Sequence, residues 1–349
     1  MRFPTTLLVL TVGAILVSSA IIYAEQNEDT GDSLNVHALP LGDGRISSTP
    51  RRGYVMSCMT QFRARGGARG SGPWIHGDTW DATEKPKVEG HITWPQAQFS
   101  ITTEGQERVV SRIIHGNGLP VDTPTGTFPI SPSDPASRFD RNPNSIQPQN
   151  IVLTLPMNPQ LAETPSCVPM GMIGVALNGV AIYNALDAAG RDAVAHEVQD
   201  LCNGHPQQAG QYHYHGPSPC LPDETKKEKL IGYAIDGFGI YSMYDAQGHE
   251  LTDADLDECH GRSSVVEWNG SRRLIYHYVL TREYPYTVGC FRGTPVHLAR
   301  GGGMGRRQPL PPLGGHHRPF GPAGLQPGFR PPPARRLGLP PPPPPPPGE

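Results

Sequence analysis

The sequence contains no Cys-x-x-Cys pair and no stretch of sustained helical periodicity, and only 17% of its residues are charged. Without paired cysteines it lacks the usual ligand frame of a structural zinc cluster. Without a 3.6-residue apolar period it excludes helical bundles and coiled coils. Gly-x-Ser-x-Gly, His-Glu-x-x-His and a phosphate-cradling glycine loop are also missing, so no common hydrolase, metalloprotease or nucleotide-binding signature is present. Nor is there a basic excess in the body. An acidic body repels phosphate, which excludes nucleic acid as a partner.

What is present begins with two ends set apart by composition. Arg2 precedes an apolar run from Leu7 to Ile22, and Ser18-Ser19-Ala20 and Ala24 offer small-residue cleavage points. Residues 1–24 therefore read as a secretory signal peptide. An uncleaved anchor is the alternative, because the run approaches the ~18 residues that span a bilayer. Residues 25–52 are polar and aperiodic and read as a linker. Residues 299–349 are Gly, Pro and Arg, closing in the run Pro340 to Pro347. Seven arginines against Glu349 alone give this tail +6, which leaves −9 on the rest of a chain whose total is −3. Such a segment cannot bury a core and reads as a disordered tail. Its charge suits an anionic cell-wall or membrane surface, with a solvated spacer as the alternative.

Residues 53–298 remain as the folded body, long enough for a well-buried core and read as a monomer. Its six cysteines, Cys58, Cys167, Cys202, Cys220, Cys259 and Cys290, are an even number in an exported chain and favour disulfides. The localisation expected is secreted or otherwise extracytoplasmic.

Within the body the chain repeats itself. Ile173-Gly174-Val175-Ala176-Leu177-Asn178-Gly179-Val180-Ala181-Ile182-Tyr183 recurs as Ile231-Gly232-Tyr233-Ala234-Ile235-Asp236-Gly237-Phe238-Gly239-Ile240-Tyr241. In each copy Asn-Gly or Asp-Gly separates two short apolar strands, which predicts a hairpin with a type I′ turn. Further on, Asp200-Leu201-Cys202 answers Asp257-Glu258-Cys259, Tyr212-His213-Tyr214 answers Tyr276-His277-Tyr278, and Cys220 answers Cys290. Helical turns are expected over Arg191 to Leu201 and after an N-cap at Thr252. The fold class is thus mainly β with short helices (α+β), a single domain containing two tandem hairpin–helix–strand repeats, at about 173–220 and 231–290, packed about a pseudo-twofold axis. Residues 53–170 add strands to it, with a separate N-terminal domain as the alternative. Repeat equivalence pairs Cys202 with Cys220 and Cys259 with Cys290, which leaves Cys58 for Cys167.

The chemistry centres on Gln211-Tyr212-His213-Tyr214-His215-Gly216. On an extended strand His213 and His215 share one face, about 6–7 Å apart at Cα, a spacing from which two imidazoles converge on one ion. His205 lies just upstream, His277 is the repeat partner of His213, and Asp236 offers a carboxylate as ligand or as an acceptor that orients an imidazole. Neutral imidazole suits zinc or copper. In the second repeat His215 becomes Val279 and His205 becomes Arg262, so a complete site is possible only around the first.

These motifs carry a resemblance. Cys202-Asn203-Gly204-His205-Pro206, Tyr212-His213-Tyr214-His215 and Ile235-Asp236-Gly237-Phe238-Gly239-Ile240-Tyr241 resemble the YHYH domain family, named for that tetrapeptide. Asn117-Gly118-Leu119-Pro120, Gly126-Thr127-Phe128-Pro129 and Glu283-Tyr284-Pro285-Tyr286 extend the likeness to roughly residues 74–295. The resemblance implies export and one compact domain. It supplies no catalytic residues, because no activity is established for the family.

Three functional classes follow. The first is a divalent-metal protein. The second is a metal- or His-dependent hydrolase using the histidines with Asp236. The third is a non-catalytic surface or cell-wall binding module, drawing on Trp74, Trp80, Trp94 and Tyr284-Pro285-Tyr286. Thr123 to Ile130 also looks like a segment of L,D-transpeptidases, but Ser166-Cys167-Val168 lacks the histidine and glycine that accompany their nucleophilic cysteine.

Overall fold

In the computed structural model, the two similar segments of sequence meet at the centre of one eight-stranded sheet. The structure describes residues 34–298 apart from 63–67, 69, 107–108 and 222–226. The expected signal peptide and tail lie outside the described residues.

Five two-residue strands open the described chain: β1 (Leu39–Pro40), β2 (Ile46–Ser47), β3 (Val55–Met56), β4 (Ile75–His76) and β5 (Thr79–Trp80). A three-stranded antiparallel sheet follows, made of β6 (Phe99–Gln106), β7 (Val109–Gly116) and β8 (Ile151–Pro156). The large sheet takes β9 (Met172–Ala176), β10 (Ala181–Tyr183), β11 (Gly204–Pro206), β12 (Tyr212–Tyr214), β13 (Leu230–Ala234), β14 (Gly239–Tyr241), β15 (Gly261–Trp268) and β16 (Ser271–Val279). Among the described residues, helix is confined to α1 (Ala193–His196) and two 3-10 turns, Pro135–Arg138 and Asp253–Asp255. The fold is mainly β, and among the described residues no helix is long and apolar enough to cross a membrane.

The strand order of the large sheet is β11-β12-β10-β9-β13-β14-β16-β15, which reads alike from either edge. At its middle the antiparallel pair β9/β13 sets Val175 opposite Tyr233, flanked by Gly174 opposite Ala234 and Ala176 opposite Gly232. Outward from there, β10 runs parallel to β12 and β14 parallel to β16. The two glycines have a steric reason. A Cβ at Gly174 would lie 2.8 Å from the Tyr233 carbonyl oxygen, and one at Gly232 closer still to that of Val175.

The hairpin turns depart from the expected type I′. Among residues Asn178, Gly179, Asp236 and Gly237, only the glycines take positive φ, at 86° and 93°. Gly179 N–H donates to the Ala176 carbonyl while Ala176 N–H donates to that of Val180, and Gly237 and Ala234 repeat the pattern. This is a three-residue loop with a type I turn and a glycine bulge. Asn178 and Asp236 accept from the backbone N–H two residues on, both at 3.3 Å, a local bond that competes with left-handed backbone.

Two further expectations change. The helix over Arg191 to Leu201 shrinks to α1: Asp192 caps it by accepting from Ala195 N–H at 3.1 Å, and Glu197 turns to extended backbone (φ −84°, ψ 136°). The linker over 25–52 is also too long. Residues 34–52 already belong to the body, because β1 pairs with β5, Leu39 and Leu41 are buried, and Gly42 N–H donates to Asp192 at 2.9 Å.

Apolar packing joins the layers. Ile114, Ile151, Leu153 and Leu155 of the three-stranded sheet pack on Val175, Tyr233 and Trp268 of the large one. Residues 53–170 thus contribute a second sheet packed on the first. The main core gathers Ile173, Ile182, Tyr212, Tyr214, Ile231, Phe238, Tyr278 and Phe291. Three disulfides close the body: Cys58–Cys167, Cys202–Cys220 and Cys259–Cys290. These are the pairs that repeat equivalence selects, and each stabilises by about 2–4 kcal/mol through the constraint on the unfolded chain.

Candidate metal centre

Strand β12 divides its side chains as alternation requires. The tyrosines face the core and serve as staples. Tyr212 donates to Asp200 at 2.8 Å, and the Tyr214 hydroxyl accepts from the Asn178 amide at 3.0 Å. In the second copy Tyr276 donates to Asp257 at 3.1 Å and Tyr278 to Asp236 at 2.6 Å. Each Tyr-His-Tyr thereby ties its strand to a hairpin turn and to the Asp before a disulfide cysteine.

The histidines face the other way. The β11/β12 register sets His205 directly opposite His213, and His215 follows just past the strand end. The three offer ligand atoms all within 4.8 Å of one another. His213 and His215 bring their Nε2 atoms to 3.0 Å. Their other nitrogens are committed: His213 Nδ1 donates to the Gln211 carbonyl at 3.0 Å and His215 Nδ1 to the Asn184 carbonyl at 2.5 Å. Carbonyl oxygens only accept, so each Nδ1 carries the proton and, in a neutral ring, each Nε2 is a bare lone pair. Tyr183 stacks on His213 at 3.8 Å between ring centroids and fixes its plane.

Glu197, where the chain leaves α1, stands beside two of the three imidazoles. Its Oε2 lies 3.4 Å from Nε2 of both His205 and His215. His205 is 4% exposed, yet among the described residues neither ring nitrogen has a hydrogen-bond partner. Burial pushes the imidazoles of His205 and His213 well below their ordinary range, helped by their neighbours, and takes His215 down to about 4. Burial pushes the Glu197 carboxyl well up, with Asp187 and Asp140 adding repulsion. The rings are therefore neutral, the form that ligates metals. A cavity of about 360 Å³ adjoins the cluster and also touches Asp140, Met170, Tyr183 and Asp187.

Two expected ligands stand elsewhere. His277 donates from Nδ1 to the Ile275 carbonyl at 3.1 Å and lies against Tyr241, but it does not join the cluster. It belongs to the other half of the sheet, where register sets Arg262 opposite it, the place His205 holds opposite His213. Asp236 accepts from Tyr278, from Gly293 N–H at 2.9 Å and from Phe238 N–H, so its carboxylate is spent on the turn. Glu197 is the residue that sequence reasoning missed. Its signal is the same asymmetry that marks His205 and His215: counted back from Asp200 and Asp257, its counterpart is Ala254.

Residues 152–252 match the family model described as YHYH protein. That segment is a YHYH domain. It contains Glu197, His205, His213 and His215 and leaves His277 outside. No curated protein and no solved structure matches the chain.

Proposed function

We infer that this chain is an exported, disulfide-stabilised protein whose YHYH domain binds a divalent transition-metal ion, zinc or copper, through His205, His213 and His215, with Glu197 as the fourth donor. Three disulfides fit an oxidising compartment. The observation that carries the reading is the pair of Nε2 atoms 3.0 Å apart, both with Nδ1 tied to backbone carbonyls. Two lone pairs facing each other at that distance repel unless a cation lies between them. Donors each about 2.0–2.1 Å from one ion are separated by about 2.8–3.4 Å, which is the range of the pair and of Glu197 Oε2 to its two imidazoles. The unpartnered nitrogens of buried His205 add a group whose burial otherwise goes uncompensated.

Three imidazoles and a carboxylate are a donor set for zinc or copper rather than for calcium or magnesium, which take oxygen ligands. The test is equilibrium dialysis of the metal-stripped protein against zinc and copper, beside a His213→Ala/His215→Ala variant. One ion per chain in the wild type and loss of it in the variant is the expected result. Equal uptake by both proteins, or none by the wild type, rejects the reading.

A further inference from the structure

We propose that Met170 supplies a thioether to this same centre and makes it a copper site able to hold Cu(I) as well as Cu(II). The proposal rests on the metal reading above and goes beyond it by selecting the metal through a donor outside the histidine cluster.

Met170 lines the cavity that the three imidazoles and Glu197 line, and it is the one sulfur side chain among the cavity's described residues. Its segment is anchored on both sides. Cys167 is bonded to Cys58, Val168 exchanges backbone bonds with Met56 and Cys58, and β9 begins at Met172. Asn184 then couples the methionine to the ligand set. Its amide donates to the Pro169 carbonyl at 2.7 Å and to Met170 Sδ at 3.6 Å, while its own carbonyl takes the His215 Nδ1 proton. One residue thus orients the imidazole and the thioether together. A thioether has two lone pairs and accepts weakly, so the contact with Asn184 leaves one free.

Chemistry makes this donor selective. Thioether sulfur is a soft ligand that stabilises Cu(I) and adds little for zinc, whereas imidazole serves both. Three imidazoles and a thioether on the wall of one cavity are a donor set for a cuprous ion, and the buried carboxylate of Glu197 adds the charge that favours the cupric form. A partly buried methionine at a cavity wall has a bland role as gap filler, and the experiment separates the two.

The test uses full-length, metal-stripped protein in three forms: wild type, Met170→Leu and His213→Ala/His215→Ala. Competition with a chromophoric chelator measures Cu(I) affinity, a second chelator measures Zn(II), and copper-edge X-ray absorption reports sulfur at the ion. Met170→Leu is expected to weaken Cu(I) at least ten-fold, leave Zn(II) within two-fold and remove the sulfur scatterer. Unchanged Cu(I) affinity overturns the proposal, as does an equal loss for both metals, which is the mark of a repacked cavity wall. If the wild type takes up neither metal, or the double histidine variant binds as well as the wild type, the metal reading itself fails, and these results differ from any that Met170→Leu alone produces.

Discussion

Glu197 holds its Oε2 atom 3.4 Å from the Nε2 atom of His215, inside a buried group of neutral imidazoles. Without an ion, a buried carboxylate there costs stability; with one, it balances charge. Glu197→Gln should therefore act with opposite signs. The metal-free variant should be more stable at pH 7, by about 1–2 kcal/mol, since it removes a group that must protonate or stay charged in a dry site. Its metal affinity should fall about ten-fold or more. Thermal unfolding with and without zinc or copper reads both effects from one pair of proteins.

The Cys202–Cys220 bridge closes an 18-residue separation that contains His205, His213 and His215. Replacing both cysteines by serine should cost about 2–4 kcal/mol of stability and weaken metal binding with it, because the ligands then need ordering by the ion itself. Replacing Cys58 and Cys167 should lower stability without touching the histidine-bearing loop. Denaturant curves and zinc titrations on the two variants distinguish local from global effects.

Tyr278 donates to Asp236 at 2.6 Å and accepts from Arg292 N–H at 2.7 Å, far from the cluster in register terms. Tyr278→Phe leaves a buried carboxylate short of one donor and should cost about 1–3 kcal/mol. Metal affinity should stay within two-fold of wild type. A large fall in affinity would place Asp236 among the ligands after all.

His277 has its pKa pushed from 6.5 down to about 4, chiefly by burial. Between those values the unfolded chain binds more protons than the folded one, so the contribution of neutral His277 is complete above pH 6.5 and declines as pH falls to 4. Relative to a His277→Gln variant, wild-type stability should drop by about 3 kcal/mol from pH 7 to pH 4. Urea unfolding of both proteins at pH 7, 5.5 and 4 measures the gap, and a gap that does not move with pH contradicts the burial argument.

Several of these features are legible in the sequence alone. Asn178-Gly179 and Asp236-Gly237 announced the hairpins, although the turn type depended on whether the Asx side chain folded back on its own backbone, a choice between close energies. The cysteine pairing followed from position within similar segments. Leu39 and Leu41 were opaque, because two apolar residues in a polar stretch carry no period and their burial depends on β5 arriving 40 residues later. Glu197 was hidden for a related reason. A glutamate next to a histidine at the end of a helical turn looks solvated, and only the end of α1 at His196 turns it inward.

The sheet that reads alike from either edge also gives the chain a blank copy of its own centre. Tyrosine staples, disulfide, a tyrosine ring against the histidine and a ring-orienting carbonyl are present on both sides of the Val175/Tyr233 pair, although Tyr241 lies tilted at 60° to His277 where Tyr183 stacks on His213, and Arg262, Val279 and Ala254 stand where the first half has two imidazoles and a carboxylate. The scaffold and its cargo are thereby separable within one polypeptide. Installing histidine at 262 and 279 and glutamate at 254 asks whether a frame already paid for in folding is enough to create a second centre, with the first as its internal standard.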